Sequence, residues 1–392
     1  MNKITSEIVN AIIKVTGHNP TGLHEPEFSG NEMRYLRDCI DTTFVSSIGK
    51  YVEVFEKSIA EFTGSKYAIA VVNGTSALHI AVKLAGVKQG EEVLVPALTF
   101  VATANAVTYV GATPHFVEIE SVSMGIDPEK LREYLLKICV IRNNKTINKE
   151  TNKHITALIV MHTFGHPSRI KELKLIADEF NLKLIEDAAE SLGSFFENQH
   201  TGTFGELGIL SFNGNKIITT GGGGAILTNN NELAYAAKKL TSTSKIPHIW
   251  EYDHDQIAYN YRMPNLNAAL GFAQLEQLEK KLVVKRLLAN KYKMSFSDVK
   301  NAKIVAEPPG ATSNYWLNNL RLNCPSKNQR DEILEISNKM GIQTRPFWNM
   351  LPNLKIYADS PRMDLSEAEN LSNSIISIPS STKLIRDEDY EN

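Results

Sequence analysis

"YAIAVVNGTSALHIAVKLAGV", residues 67–87, opens on an unbroken apolar run, turns at Asn73 and Gly74, and continues with a different period. In its second half Leu78, Ala81, Val82 and Ala85 recur at the spacing that puts them on one face of a helix. A strand that feeds directly into an amphipathic helix is half of a crossover unit, the connection that parallel strands require. The same alternation continues downstream. "EEVLVP" reads as a short buried strand, and "TFVATANAVTYVGA" as a helix that Gly111 closes as a C-cap. "PHFVEI" is a strand, and "DPEKLREYLLKI" a helix opened by Asp127 and Pro128. "ITALIVMHTFG", "LKLIEDAAE", "ELGILSFN" and "GAILTNN" read as further strands, with "SRIKELKLIADEF" and "NELAYAAKKL" as helices. Such a chain predicts an α/β fold with a mostly parallel central sheet covered by helices on both faces. Ligands of such sheets gather at the carboxyl ends of the strands.

Two segments depart from this rhythm. "NNKTINKETNKH", residues 143–154, is polar and aperiodic and is expected to be an exposed loop. "NLNAALGFAQLEQLEKKLVVKRLLANKYKMSF", residues 265–296, is expected to be one long helix connecting two domains. We place a large domain with an N-terminal arm at 1–250, and the connector helix with a smaller C-terminal α/β domain at 251–392.

Composition narrows the chemistry. A formal net charge of -2 over 392 residues gives no case for a nucleic-acid partner, which calls for a basic face. Cys39, Cys139 and Cys324 stand far apart, with neither metal-ligand spacing nor a disulfide framework. The start lacks the features of a secretory signal, and no run of about 18 apolar residues offers a membrane span. A cytoplasmic protein is expected.

The candidate site residues sit at the expected strand ends. In "NGTSAL" a helix begins at Gly74, Thr75 and Ser76, whose N–H groups and hydroxyls suit a phosphate, though Thr and Ser are equally ordinary helix caps. Phe100 in "PALTFVATAN" could cover a flat ring, or fill core. "LIEDAAESLGS" brings Glu186 and Asp187 to a strand end, where a buried carboxylate needs a positive partner, such as a protonated pyridine nitrogen. In "SFNGNKIITTGGGG", residues 211–224, Ser211 ends a strand and Lys216 precedes four glycines. That order is not a nucleotide-binding loop, in which the lysine follows the glycines. A confined lysine can instead serve as a nucleophile. Together, a phosphate turn, a ring cover, a carboxylate and a lysine are the parts a pyridoxal 5'-phosphate enzyme requires.

With these motifs in this order, "YNYRMPNLNAALG" and "TRPFW" included, the chain resembles the DegT/DnrJ/StrS family of pyridoxal phosphate aminotransferases acting on nucleotide-linked keto sugars. The resemblance covers nearly the whole chain and implies the type I transferase fold, resembling aspartate aminotransferase. It makes Lys216 the lysine that bonds the cofactor, and Asp187 the partner of its ring nitrogen. Phe100 becomes the stacking aromatic, and Thr75, Ser76 and Ser211 the phosphate contacts. Asn260 would reach the phosphate from a neighbouring subunit, which implies a homodimer with interfacial sites. Glu190 stands beside the cofactor, where many relatives carry glutamine. Arg345 and Trp348 match substrate contacts, although Pro352 replaces a histidine common nearby. The subgroup resembled makes 4-amino-4,6-dideoxy N-acetylhexosamines, with L-glutamate as donor and the pyridoxamine phosphate form arising in turnover. Rival readings are an aminotransferase for another keto sugar, such as a GDP-perosamine-type precursor, or a non-catalytic cofactor-binding relative. A dehydratase on this fold would carry histidine at 216, and a plain nucleotide-binding protein would show no yellow colour.

Overall fold

The computed structural model describes residues 2–386 and 389. Its main sheet is built on β1 (Tyr67–Val71), β2 (Glu92–Pro96), β3 (Thr113–Val117), β4 (His154–Met161), β5 (Lys183–Asp187), β6 (Leu207–Ser211) and β7 (Gly224–Thr228). They lie in the order β1-β7-β6-β5-β4-β2-β3. The five strands from β6 to β3 pair in parallel, and β7 runs antiparallel to both its neighbours, β1 and β6. Continuous burial along β2 and β7 shows why these strands read as unbroken apolar runs: both faces are covered. Val93, Val95, Ile159 and Ile209 pack with the helices Gly74–Leu84 and Val101–Tyr109 on one face. Leu94, Leu158 and Val160 turn to the other, onto the helices Pro128–Ile138 and Ile170–Glu179.

The opening stretch folds as its two periods dictate. β1 ends at Val71, and Asn73 caps the following helix by accepting a hydrogen bond from the Ser76 N–H at 2.7 Å. Leu78, Ala81 and Val82 are buried and Ala85 half-buried.

Two expectations fail for identifiable reasons. Residues 143–154 are not a free loop, because Lys145–Asn148 forms a hairpin with Cys139–Arg142 and buries Thr146 and Asn148. Their polarity is called for by Glu92, fully buried, whose carboxylate accepts from Asn148 Nδ2 (3.0 Å) and Thr151 Oγ1 (2.6 Å) and meets His115 Nδ1 (2.9 Å). A buried charge needs such partners. The connector is likewise two helices, Asn265–Leu275 and Leu278–Ser295. At the break the side chains of Glu276 and Gln277 reach to the N-terminal segment: Tyr35 and Asn31 donate to Glu276, and Gln277 binds Ser29 and Glu32.

A second, antiparallel sheet joins β8 (Ala302–Ile304), β9 (Asn318–Leu322), β10 (Arg345–Pro346) and β11 (Ile375–Ile378) in the order β8-β9-β11-β10. The helix Lys3–Thr16, grouped by sequence with the first 250 residues, packs here instead. Its Ile8, Val9 and Ile12 bury against Leu288, Tyr292, Ile333 and Ile376. Among the described residues no helix is long and apolar enough to cross a membrane.

Candidate active site

A cavity of about 440 Å³ opens at the carboxyl ends of β1, β2, β4, β5 and β6. Of the sequence-derived candidates, Gly74, Thr75, Phe100, Asp187, Glu190, Ser211, Lys216 and Trp348 line it. Ser76 does not: it is buried, and its N–H is consumed by the Asn73 cap. Asn260 also lies outside this lining, exposed on a backbone bridge to Ser242. Arg345 borders a separate cavity of about 300 Å³ together with His24 and Gln343. There its guanidinium donates to Asn338 Oδ1 and the Thr344 carbonyl. Asn215 lines both cavities.

Strand alternation separates the two acids that close β5. Glu186 points away from the cavity and accepts backbone N–H bonds from Gly202 (2.8 Å), Phe204 (2.6 Å) and Gly205 (2.7 Å), with His162 Nε2 at 3.0 Å. It is the anchor of the 202–205 turn. Glu186→Gln turns a donor toward these donors, so we expect a loss of about 2–4 kcal/mol of stability, with kcat of the folded enzyme nearly unchanged. Denaturant unfolding and steady-state kinetics check both halves of that expectation.

Asp187 faces the cavity. It is 2% exposed, and it accepts from Thr103 Oγ1 at 2.7 Å and from the Ala189 N–H at 3.2 Å. No basic side chain among the described residues forms an ion pair with it. Burial therefore pushes its pKa above the ordinary carboxylate value of 3.8, against the pull of these hydrogen bonds. A carboxylate so placed lacks only a cation, and a protonated ring nitrogen would supply it. Thr103 was missed in the sequence, although it stands three residues after Phe100, one helical turn along the same element.

Lys216 follows β6, with its amine 3.2 Å from Glu190 Oε1. The other carboxylate oxygen of Glu190 accepts the Phe164 N–H at 2.9 Å. Burial raises the Glu190 pKa, and the nearby Lys216 ammonium opposes that rise. Phe164 adopts a left-handed backbone (φ 56°), a strained state for a residue with a side chain. The Lys216 amine also lies 3.9 Å from the centre of the Trp316 ring. Phe100, half-exposed at the mouth, has its ring 6.2 Å from that of Trp348.

At the helix N-terminus the space is made by glycine. A Cβ on Gly74 would lie 3.0 Å from Ser211 Cβ, and one on Gly224 only 2.7 Å from the Gly74 nitrogen. The strand ends and the helix N-terminus thus approach closely where Gly74, Thr75 and Ser211 line the cavity. Amine, unpaired acid, aromatic cover and anion cradle share one cavity, and this donor set fits pyridoxal phosphate.

The whole chain supports the same reading. Residues 26–391 match the DegT/DnrJ/EryC1/StrS aminotransferase family. The chain belongs to this family. It is 36% identical over 335 residues to a GDP-perosamine synthase of Vibrio cholerae, covering 86% of each chain. It is 32% identical over 249 residues to the UDP-4-amino-4,6-dideoxy-N-acetyl-beta-L-altrosamine transaminase of Campylobacter jejuni, covering 63% of this chain and 62% of that one. The crystal structure of a DegT DnrJ EryC1 StrS aminotransferase from Brucella abortus superimposes with a TM-score of 0.82 at 27% identity, over 92% of this chain and 93% of that one. The protein is a pyridoxal-phosphate-dependent aminotransferase of fold type I.

Proposed function

We propose that this aminotransferase moves the amino group of L-glutamate to the C4 ketone of a UDP-linked 2-acetamido-2,6-dideoxy-4-ketohexose. The observation that carries the chemistry is the Lys216 amine sharing a cavity with Asp187, a buried acid with no ion-pair partner among the described residues. Bound pyridoxal phosphate supplies an electron sink for the carbon that gains or loses its amine.

The chain's residues do the rest. Gly74, Thr75 and Ser211 hold the phosphate at the helix N-terminus, where the dipole favours an anion. Phe100 covers the ring, and Asp187 keeps the proton on the ring nitrogen. Lys216 would move a proton at the substrate carbon as a general acid and base. Glu190 would receive the Lys216 amine when it is free. Arg345 and Trp348 are assigned to the nucleotide sugar, and Asn260 to the site of a second copy in a homodimer.

The UDP-acetamido sugar is supported by the resemblance of "HEPEFSGNEMRYLRDCIDTTFVSSIGKYVE" and "NGNKIITTGGGG" to the subgroup that makes 4-amino-4,6-dideoxy N-acetylhexosamines. A GDP-linked 4-keto-6-deoxyhexose is the second reading, favoured by the identity to the perosamine synthase over most of its length. Incubation with glutamate and UDP-, GDP- and dTDP-linked 4-keto sugars, with products identified by NMR, separates them. We expect a C4 amine on the UDP sugar and one 2-oxoglutarate per amine. Preference for the GDP sugar reverses the assignment of substrate, and amination of none of the three removes the sugar reading.

A further inference from the structure

Trp316 is one of the side chains in the cavity to which neither the motifs nor the family resemblance gave a task. It precedes β9 and belongs by sequence to the C-terminal unit, yet its indole is 4% exposed against the lysine loop of the large sheet. Four contacts fix it. Its Nε1–H donates to the Asn215 carbonyl at 2.6 Å. The Lys216 amine rests on its ring, 3.9 Å from the centroid. Its backbone N–H donates to Asn314 Oδ1 at 2.8 Å, and its carbonyl accepts from Lys285 Nζ at 2.8 Å.

Each of these partners has a reason to be where it is. Lys285 is fully buried and also donates to the Ser380 carbonyl. Burial holds its proton affinity well below that of a free lysine, and its two hydrogen bonds both go to backbone carbonyls. Asn314 uses its amide nitrogen for the carbonyls of Glu190 and Leu192, both at 2.9 Å. One asparagine therefore fastens both walls of the slot in which the Lys216 amine lies, the carboxylate wall and the indole wall. Tyr315 between them takes a left-handed backbone (φ 47°), which few residues with side chains tolerate without compensation.

A tryptophan that merely filled core would need some acceptor for its N–H. This one uses the carbonyl of the residue before the lysine, so indole and amine are registered to one another through a single peptide unit. A lysine side chain has four rotatable bonds, and most of its rotamers carry the amine out of reach. An aromatic face in a desolvated site attracts the ammonium and restricts that freedom.

We propose that Trp316 is the positioning residue of Lys216: its face holds the amine against Glu190, and its N–H grips the loop that carries the lysine. The inference rests on the aminotransferase role of Lys216 but not on the identity of the sugar. The test therefore uses the holoenzyme with glutamate alone.

Trp316→Phe keeps a face and loses the N–H, while Trp316→Leu loses both. We expect bleaching of the bound cofactor by glutamate to slow about 5-fold in the Phe variant and about 30-fold in the Leu variant, with KM for glutamate within about 2-fold of wild type. The visible circular dichroism of the bound cofactor, which reports its orientation rather than its turnover, should weaken in the same order. Wild-type bleaching and dichroism in Trp316→Leu overturn the proposal. So do equal losses in both variants that track a fall in Tm, the signature of a core residue. Should Trp316→Leu not fold, unchanged bleaching and dichroism in Trp316→Phe overturn it alone.

Discussion

Replacing Lys216 by alanine is expected to lower kcat by about 10⁴-fold or more, because the residue has two tasks at one atom. On the proposed reading its amine is both the nucleophile that the cavity presents and the group that carries a proton to and from the substrate carbon. No neighbour can take over either task. Glu190, the nearest ionisable group, is 3.2 Å from the amine but is buried, bound at its other oxygen by the Phe164 N–H, and lacks a nucleophilic nitrogen. Lys216→Arg is expected to be as inactive, since the guanidinium keeps the charge and the contact with Glu190 but neither attacks nor releases a proton near neutral pH. Both variants should still take up cofactor through the phosphate cradle and Asp187, with a changed visible spectrum. The measurements are single-turnover amination by glutamate and the cofactor content after dialysis. Full turnover by either variant refutes the assignment.

Asp187→Asn is expected to lower kcat by about 10²–10³-fold while leaving the protein folded. The amide keeps the shape and one hydrogen-bond acceptor for Thr103 or Ala189, but it cannot hold a proton on a ring nitrogen by charge. The stability of the cofactor-free protein supplies an independent check. The folded pKa of Asp187 is raised by burial, so the folded state binds this proton more tightly than the unfolded chain. Stability from this group is present below the unfolded value and declines as pH rises from there through the folded pKa. The Tm difference between cofactor-free Asp187→Asn and cofactor-free wild type should therefore move in favour of the variant as pH rises above about 4. Adding pyridoxal phosphate should reverse the order, since only wild type gains an ion pair. A Tm difference that does not change with pH or with cofactor would remove Asp187 from the ring-nitrogen role.

The sheet was legible because each strand–helix boundary carries its own local signal, such as Asn73 at the turn from an unbroken apolar run to a helical face. Lys216, Asp187 and Glu190 were legible for a related reason: they follow the strands that position them within a few residues. Trp316 was not, since the registration of its indole on Asn215 spans 101 positions and depends on how the C-terminal unit docks. The break at Glu276 and Gln277 was hidden for the same cause. A helical stripe continues through it, and the side chains that meet the break, those of Ser29, Asn31, Glu32 and Tyr35, come from more than 200 positions away. Glu92 shows the opposite error, in which polar residues were read as exposed because their buried partner lies more than 50 positions away.

The antiparallel course of β7 has a consequence for how this protein is made. β1 is the first of these strands to leave the ribosome, and its strand neighbour in the finished sheet is β7. Residues 67–71 thus wait for residues 224–228 before their ladder can form. Long-range pairing of this kind is slow, and a waiting apolar strand is open to wrong partners. Gly224 closes against Asn73 and Gly74, so the cavity wall at the helix N-terminus is completed only once that late strand is in place. Nascent chains that end before residue 224 are therefore expected not to retain pyridoxal phosphate.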